Sequence, residues 1–219
     1  MSKEETARLV ERLAGELTPE VADPGAKLSD FGDERRRRVD SLARLRAALD
    51  VEELVAGAAA QQAESAAVET VWLGASLADL SAVTGRTRQA ARKRWPGLGS
   101  IHRRRKWLGD HVEEITHAAG QLAAHAGDLA PKSGGEAFDE RLRLLREGLD
   151  RCARDFADEA EAPGDPAGRW RALDELVGTT MRGLIGAAGE PATGEAGFAL
   201  HLATGVVGYY DHATADRRG

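Results

Sequence analysis

Basic side chains are concentrated in one segment of an acidic chain. Nine lysines and arginines lie between Arg86 and Lys106, and no Asp or Glu occurs from Leu80 to Gly109. The 219 residues carry a net charge of −6, so the chain outside this segment carries −15. A positive segment on a negative protein favours an anionic partner, and a nucleic acid is the common anion with repeating charge.

The first part of this segment contains the residue types that read the edges of bases. Arg can form two hydrogen bonds with guanine O6 and N7, and Gln can do the same with adenine N6 and N7. If a helix begins here, its first turn would enter the major groove of duplex DNA. The candidates for contacts with bases are Thr87, Arg88, Gln89 and Arg92. The candidates for contacts with phosphates, which orient a protein but carry little sequence information, are Arg86, Lys93 and Arg94.

A second basic cluster follows a few residues later and comprises Arg103, Arg104, Arg105 and Lys106. Ser100 is a candidate cap for a helix from Ile101, which would place the cluster at the helix N-terminus. That end already carries partial positive charge, so four cations there are unfavourable unless an external polyanion offsets them. We therefore expect further phosphate contacts at this cluster. The alternative is that acidic residues of the chain, such as those between 139 and 158, hold these side chains.

Local signals predict the elements that position the first group. Ser76 and Asp79 form a candidate capping box for a short helix from Leu77 to Thr84. Gly85 can take the positive φ of a sharp turn, and Thr87 can cap a second helix from Arg88 to Trp95. Pro96 disfavours continuation of that helix. The predicted small core between the two helices consists of Leu80, Val83, Ala91 and Trp95.

The segment ASLADLSAVTGRTRQAARKRW resembles the helix-turn-helix of many small actinobacterial DNA-binding proteins. The resemblance covers roughly residues 51–95 and is most specific in the RQAAxxRW portion. It implies a DNA-binding, transcription-related role with the second helix in the groove. Thr84 and Arg86 stand where that family usually has apolar residues. The alternative is therefore a protein-interaction module that retains the fold without reading DNA specifically.

The whole sequence predicts an all-α protein, because Ala, Leu, Arg and Glu are abundant and no convincing alternating strand occurs. An N-terminal helical domain, residues 1–98, would contain the helix-turn-helix at about 76–95. A C-terminal antiparallel helical bundle, residues 99–219, would dimerise or bind a protein partner or a small effector. The other predicted helices are 3–17, 34–49, 50–73, 101–126, 136–160, 167–188 and 194–215.

Other functions have weak support in the sequence. No catalytic constellation or glycine-rich phosphate loop is present, so we expect no enzyme and no cofactor. Glu114 and His117 form a single Glu-x-x-His pair, so we expect no metal site. Cys152 is the only cysteine, and the N-terminus does not resemble a signal peptide. The apolar run 196–210 is too short to span a bilayer. We expect a cytoplasmic, nucleoid-associated homodimer whose main partner is double-stranded DNA, with no membrane partner.

Overall fold

The computed structural model describes residues 3–17, 32–132, 134–157 and 165–215. These residues are mostly helical, which confirms the predicted all-α class in its coarse form. The chain divides into two compact units, Met1–Ser65 and Ala66–Gly219. The observed boundary differs from the predicted boundary near residue 98. The basic segment therefore belongs to the same unit as the C-terminal helices.

The first unit contains helix α1, Lys3–Glu16, and most of helix α2, Gly32–Trp72. Its buried positions on α2 are Ala43, Ala47 and Val51, which recur every four residues and so share one face. The sequence predicts an apolar stripe that includes Leu45 and Leu49. That prediction is wrong at these two positions, because both side chains are more than half exposed.

Helix α2 is one continuous helix where the sequence predicts two. The expected break rested on Asp50 as a helix cap with Glu53 as its partner. In the structure Asp50 lies within the helix, and its carboxylate oxygens lie 3.0 and 3.2 Å from Nε of Arg46. The acidic side chain therefore joins an i,i+4 ion pair instead of capping a new helix.

The second unit contains the end of α2 and the remaining elements. Its further helices are α3 Leu77–Thr84, α4 Arg88–Arg94, α5 Leu98–Asp110, α6 Val112–Ala124, α7 Gly135–Ala157, α8 Pro166–Glu175, α9 Arg182–Ala187 and α10 Gly194–Thr214. Side chains cap several of them: Asp165 accepts a hydrogen bond from the Gly168 N–H, and Thr193 accepts one from the Ala196 N–H. The observed helices follow the predicted ones closely where such local signals exist.

The core of this unit lies among α5, α6, α7, α8 and α10. Helix α10 packs against α5 and α6, and α7 packs against α6 and α8. The larger buried side chains include Trp107, Leu108, Ile115, Leu122, Phe138, Leu145, Trp170, Leu173, Leu176, Met181, Leu184 and Tyr210. Trp72 at the end of α2 joins the same core, which attaches that end of α2 to the unit.

The predicted helix 101–126 is divided at His111, between α5 and α6. The imidazole ring of His111 stacks on the Trp107 ring with 4.3 Å between the centroids, and its Nδ1 lies 2.7 Å from the Trp107 carbonyl oxygen. The ring therefore occupies the carbonyl that the His111 backbone N–H would bind in a continuous helix. That N–H bonds instead to the carbonyl of Leu108, and the helix ends.

The predicted helix 167–188 contains one wide turn. Helix α8 passes into a π-helical turn, Leu176–Met181, and then into α9. The Thr180 hydroxyl donates to the carbonyl of Glu175, five residues earlier, at 3.3 Å. The backbone stays in right-handed helical geometry at both ends of the turn, so the axis continues while one turn is enlarged.

Two short strands were not predicted. Strand β1, Leu129–Pro131, pairs antiparallel with β2, Ala188–Pro191, and joins the region after α6 to the region before α10. Each strand has three or four residues, so neither contains an alternating pattern long enough to detect. Within the described residues, no helix is long and apolar enough to cross a membrane.

Candidate nucleic-acid interface

Helix α3 begins with a complete capping box. The Ser76 hydroxyl accepts hydrogen bonds from the backbone N–H groups of Ala78 and Asp79 at 3.2 and 3.3 Å. The Asp79 carboxylate accepts from the Ser76 backbone N–H at 2.7 Å and from its hydroxyl at 2.8 Å. These bonds lower the pKa of Asp79, the backbone bond contributing most. The predicted cap and the predicted bounds of this helix are confirmed.

Gly85 turns the chain between α3 and α4 with φ of 62° and ψ of 19°. This left-handed conformation is costly for residues with a Cβ, so the glycine is needed at this turn. Thr87 then caps α4, because its hydroxyl accepts a hydrogen bond from the Ala90 N–H at 3.2 Å. Helix α4 has seven residues and ends at Arg94, and Trp95 is its C-cap, just before Pro96.

The contact between α3 and α4 is narrower than predicted. Leu80, Ala91 and Trp95 are buried, as expected. Val83, however, is 87% exposed, so its predicted place in the small core is wrong. In the N-terminal half of α3, Leu77 and Ala78 are half-buried and Leu80 is buried, whereas the last residues of the helix, from Ala82 to Thr84, are exposed.

The seven polar residues predicted to face DNA from this region all lie on the surface. They are Arg86, Thr87, Arg88, Gln89, Arg92, Lys93 and Arg94. Arg94 also places its guanidinium 5.1 Å from the Trp95 ring centroid. Within the described part of the chain, none of their cations pairs with a carboxylate closer than 4 Å. The structure therefore exposes an unneutralised basic and amide surface, here called the α4 surface.

The second basic cluster occupies a different position from the predicted one. Helix α5 begins at Leu98 after Gly97, so Ser100 does not cap it. The residues from Arg103 to Lys106 consequently lie in the middle of the helix. The argument from an unfavourable positive charge at a helix N-terminus does not apply to them.

Arg104 belongs to a network with Asp174 and Tyr210. Its Nη1 donates to the Asp174 carboxylate at 2.7 Å, and the Tyr210 hydroxyl donates to the other oxygen at 2.6 Å. The guanidinium also lies 5.6 Å from the Trp72 ring centroid. Burial first, and then the bond to Asp174, raise the pKa of Tyr210 well above its usual value. This network joins α5, α8 and α10.

Arg105 and Arg103 bind the ends of two other helices. Arg105 donates from Nε to the Trp72 carbonyl at 2.9 Å and stacks 3.3 Å from the Trp170 ring centroid. Arg103 donates from Nε to the Thr214 carbonyl at 3.5 Å. These carbonyls close α2 and α10, where unpaired acceptors and partial negative charge favour a cation. Lys106 alone in the cluster is exposed.

Asp174 is a partner of the basic cluster that the sequence did not predict. The predicted acidic partners lay between residues 139 and 158, on α7 and beyond, whereas the observed carboxylate lies on α8. It is 70 residues from Arg104 and 36 from Tyr210. No local pattern identifies such a partner, because the tertiary packing of α5, α8 and α10 brings the three residues together.

Other reactive groups do not form a site in the described residues. Cys152 is buried, and burial raises the pKa of its thiol to about 11, so it is protonated at neutral pH. No group of three or more His, Cys, Asp or Glu side chains in the described ranges is arranged to hold a metal ion. Comparison with known proteins gives no relative: no family model, curated protein or solved structure matches this chain.

Proposed function

We propose that this chain binds duplex DNA, with α3 and α4 acting as a helix-turn-helix and α4 lying in the major groove. The observation that carries the proposal is the α4 surface. It combines a capped helix after a glycine turn with exposed arginines and a glutamine that have no acidic partner in the described structure. Such a surface is expected where phosphates and base edges supply the missing partners.

The size and orientation of α4 fit this role. Seven residues span about 10 Å, and the major groove is about 12 Å wide. Arg88 and Gln89 lie in the first turn, the part of a recognition helix that contacts base edges. Arg92 follows one turn later on the same side. Thr87 completes the proposed base-contacting set, although its hydroxyl already accepts the capping bond.

The proposed phosphate contacts divide by their observed surroundings. Arg86, Lys93, Arg94 and Lys106 are exposed, so each can reach a phosphate without losing an internal contact. The side chains of Arg103, Arg104 and Arg105 hold helix ends and Asp174. We therefore propose that these three arginines position α5, and that the other four cations contact phosphate.

A short recognition helix reads few base pairs, so specific binding by one copy would be weak. We propose a homodimer that binds two half-sites about 34 Å apart, which is one turn of DNA. The proposed role is that of a cytoplasmic transcriptional regulator or a chromosome-associated factor on the nucleoid.

The test is a titration of labelled duplex DNA at several salt concentrations, using a pool of random duplexes followed by the selected sequence. Arg88→Ala or Gln89→Ala should weaken binding to the selected site by about 1–3 kcal/mol and relax sequence preference. Lys93→Ala should weaken binding to all DNA sequences alike. It should also reduce the slope of the logarithm of the binding constant against the logarithm of salt concentration by about 0.9. Arg146→Ala, an exposed arginine on α7, is the matched control and should change neither. Binding that is absent or insensitive to salt would exclude this function.

A protein-interaction module is the second candidate, and the exposure of Val83 favours it. An exposed valine three residues before the exposed Arg86 suits a partner that presents both an apolar residue and a carboxylate. Purification from cells with and without nuclease treatment distinguishes the two candidates. A partner protein that stays bound after nuclease treatment and is lost in Val83→Asp would support the module. Loss of co-purifying material on nuclease treatment would support DNA binding.

A further inference from the structure

A groove separates α7 from the wall that α8, the π-helical turn and α9 form. It encloses about 580 Å³, within the roughly 300–1,000 Å³ of small-molecule sites. At one end Arg141 of α7 donates to the Gly183 carbonyl at 2.7 Å. Near the middle, a Cβ added to Gly148 would lie 3.0 Å from Leu176 Cδ1, so the two walls meet closely there. The groove is remote in sequence from the α4 surface.

Two arginines occupy the other end of the groove. Arg151 and Arg154 line it from α7 and lie three residues apart, so they share one side of the helix. Both side chains are exposed, and neither makes a hydrogen bond or ion pair with any residue in the described ranges. Their guanidinium groups can therefore bind a ligand carboxylate, for which the planar fork of donors is well matched.

The two acidic residues that line the groove differ in whether a basic side chain already binds their carboxylate. The Glu147 carboxylate accepts a hydrogen bond from Arg143, which also holds Glu140. Glu175 on the opposite wall has no such partner among the described residues. It would repel an anion bound in the groove, and this repulsion provides a direct test of the charge of the ligand.

The stretch between the two ends contains both apolar and polar side chains, among them Leu144, Leu176, Thr179 and Thr180. Leu176 is buried, whereas Leu144 is 44% exposed although it is a large apolar side chain. The π-helical turn forms part of the wall, and such turns occur frequently at functional sites. An apolar body that covered Leu144 would remove its surface from water.

We propose that this groove binds an amphipathic organic anion, a carboxylate on an apolar chain. The carboxylate is held by Arg151 and Arg154, and the chain lies along the exposed surface of Leu144. This site does not depend on DNA binding. It places a small-molecule site on the C-terminal helices.

Calorimetric titration of the full chain with decanoate, below the concentration at which it forms micelles, tests the proposal. Decanol has the chain without the charge, and acetate has the charge without the chain. We expect decanoate to bind at least about tenfold more tightly than either, since the site uses both charge-assisted bonds and apolar burial. Equal binding of decanoate and decanol would overturn the proposal, as would an absence of decanoate binding.

Variants on the two walls locate the site. The double variant Arg151→Ala/Arg154→Ala should reduce decanoate affinity at least about tenfold, whereas Arg146→Ala on the same helix should not change it. Glu175→Gln should raise the affinity because it removes a like charge. A disturbed fold cannot produce such a gain, so the variant separates a local charge effect from misfolding. Unchanged affinity in both the double variant and Glu175→Gln would show that the ligand binds elsewhere.

Discussion

Asp174 accepts hydrogen bonds from two side chains that lie far from it in the sequence. Its side chain is 13% exposed and that of Arg104 is 32% exposed, so the pair is largely removed from water. A charge in this setting is stabilised by its partners and is costly without them. Arg104 is for this reason a structural cation, although its neighbours in the sequence suggested a phosphate contact.

The network predicts a large effect of one carboxylate on stability. Asp174→Ala should lower the free energy of unfolding by about 2–3 kcal/mol, because Arg104 and Tyr210 both lose their partner. Urea unfolding followed by circular dichroism measures the change. Tyr210→Phe, which removes a single hydrogen bond, should cost about 1 kcal/mol.

The matched control is a similar ion pair at the surface. Arg182 donates to both carboxylate oxygens of Asp211, and the two side chains are 45% and 48% exposed. Asp211→Ala should cost less than about 1 kcal/mol, because water replaces an exposed partner readily. An equal loss in Asp174→Ala and Asp211→Ala would contradict the structural role of the buried network.

The basic residues show which side-chain positions the sequence can predict and which it cannot. The exposure of Arg88 and Gln89 follows from the helical period of a short helix with Ala91 on its buried side. The inward contacts of Arg103 and Arg105 do not follow from any local pattern. Their acceptors are 111 and 33 residues away and become available only when α10 and α2 end beside α5.

At the scale of elements, the turn at Gly85 depends on its backbone conformation rather than on space. A Cβ at this position would meet no atom within 4 Å, yet φ is +62°. Gly85→Ala should therefore destabilise the second unit by about 1 kcal/mol through backbone strain alone. Gly85→Asn should cost less, because Asn tolerates this region better. Thermal unfolding measures both variants.

At Gly57, replacement of glycine by alanine should have the opposite effect on stability. This glycine lies inside α2 with open space around it, so Gly57→Ala should stabilise the helix by up to about 1 kcal/mol. The same substitution thus has opposite signs at a turn and in a helix interior. Stabilisation by Gly85→Ala would show that residue 85 does not need the left-handed conformation.

Elements specified by nearby residues were predicted well, and those specified by distant contacts were not. Ser76, Gly85 and Thr87 act within three residues of themselves, and they defined α3 and the start of α4. The break at His111 arises because the imidazole ring takes the place of the His111 backbone N–H at the Trp107 carbonyl. The sequence gives no sign of this break, because His is not a residue that usually ends a helix. Strands β1 and β2 exist only through pairing across about 60 residues.

At the scale of the molecule, the boundary at Ser65 has a direct consequence for truncation. The main core of the second unit runs from Trp72 to Tyr210. A fragment of residues 66–219 should therefore keep this core and unfold cooperatively, with the helical signal expected for α3–α10. Circular dichroism and urea unfolding of the fragment measure this. A non-cooperative fragment would show that the second unit needs residues before Ala66.

The π-helical turn also sets the direction in which the following residues face. It accommodates one more residue than an ordinary α-helical turn. If the same residues formed a regular α-helix, everything after the turn would be rotated by about 100° about the helix axis relative to α8. The Gly183 carbonyl would then point away from Arg141, and β2 would shift relative to β1. The wide turn therefore keeps these contacts aligned although the segment contains an extra residue.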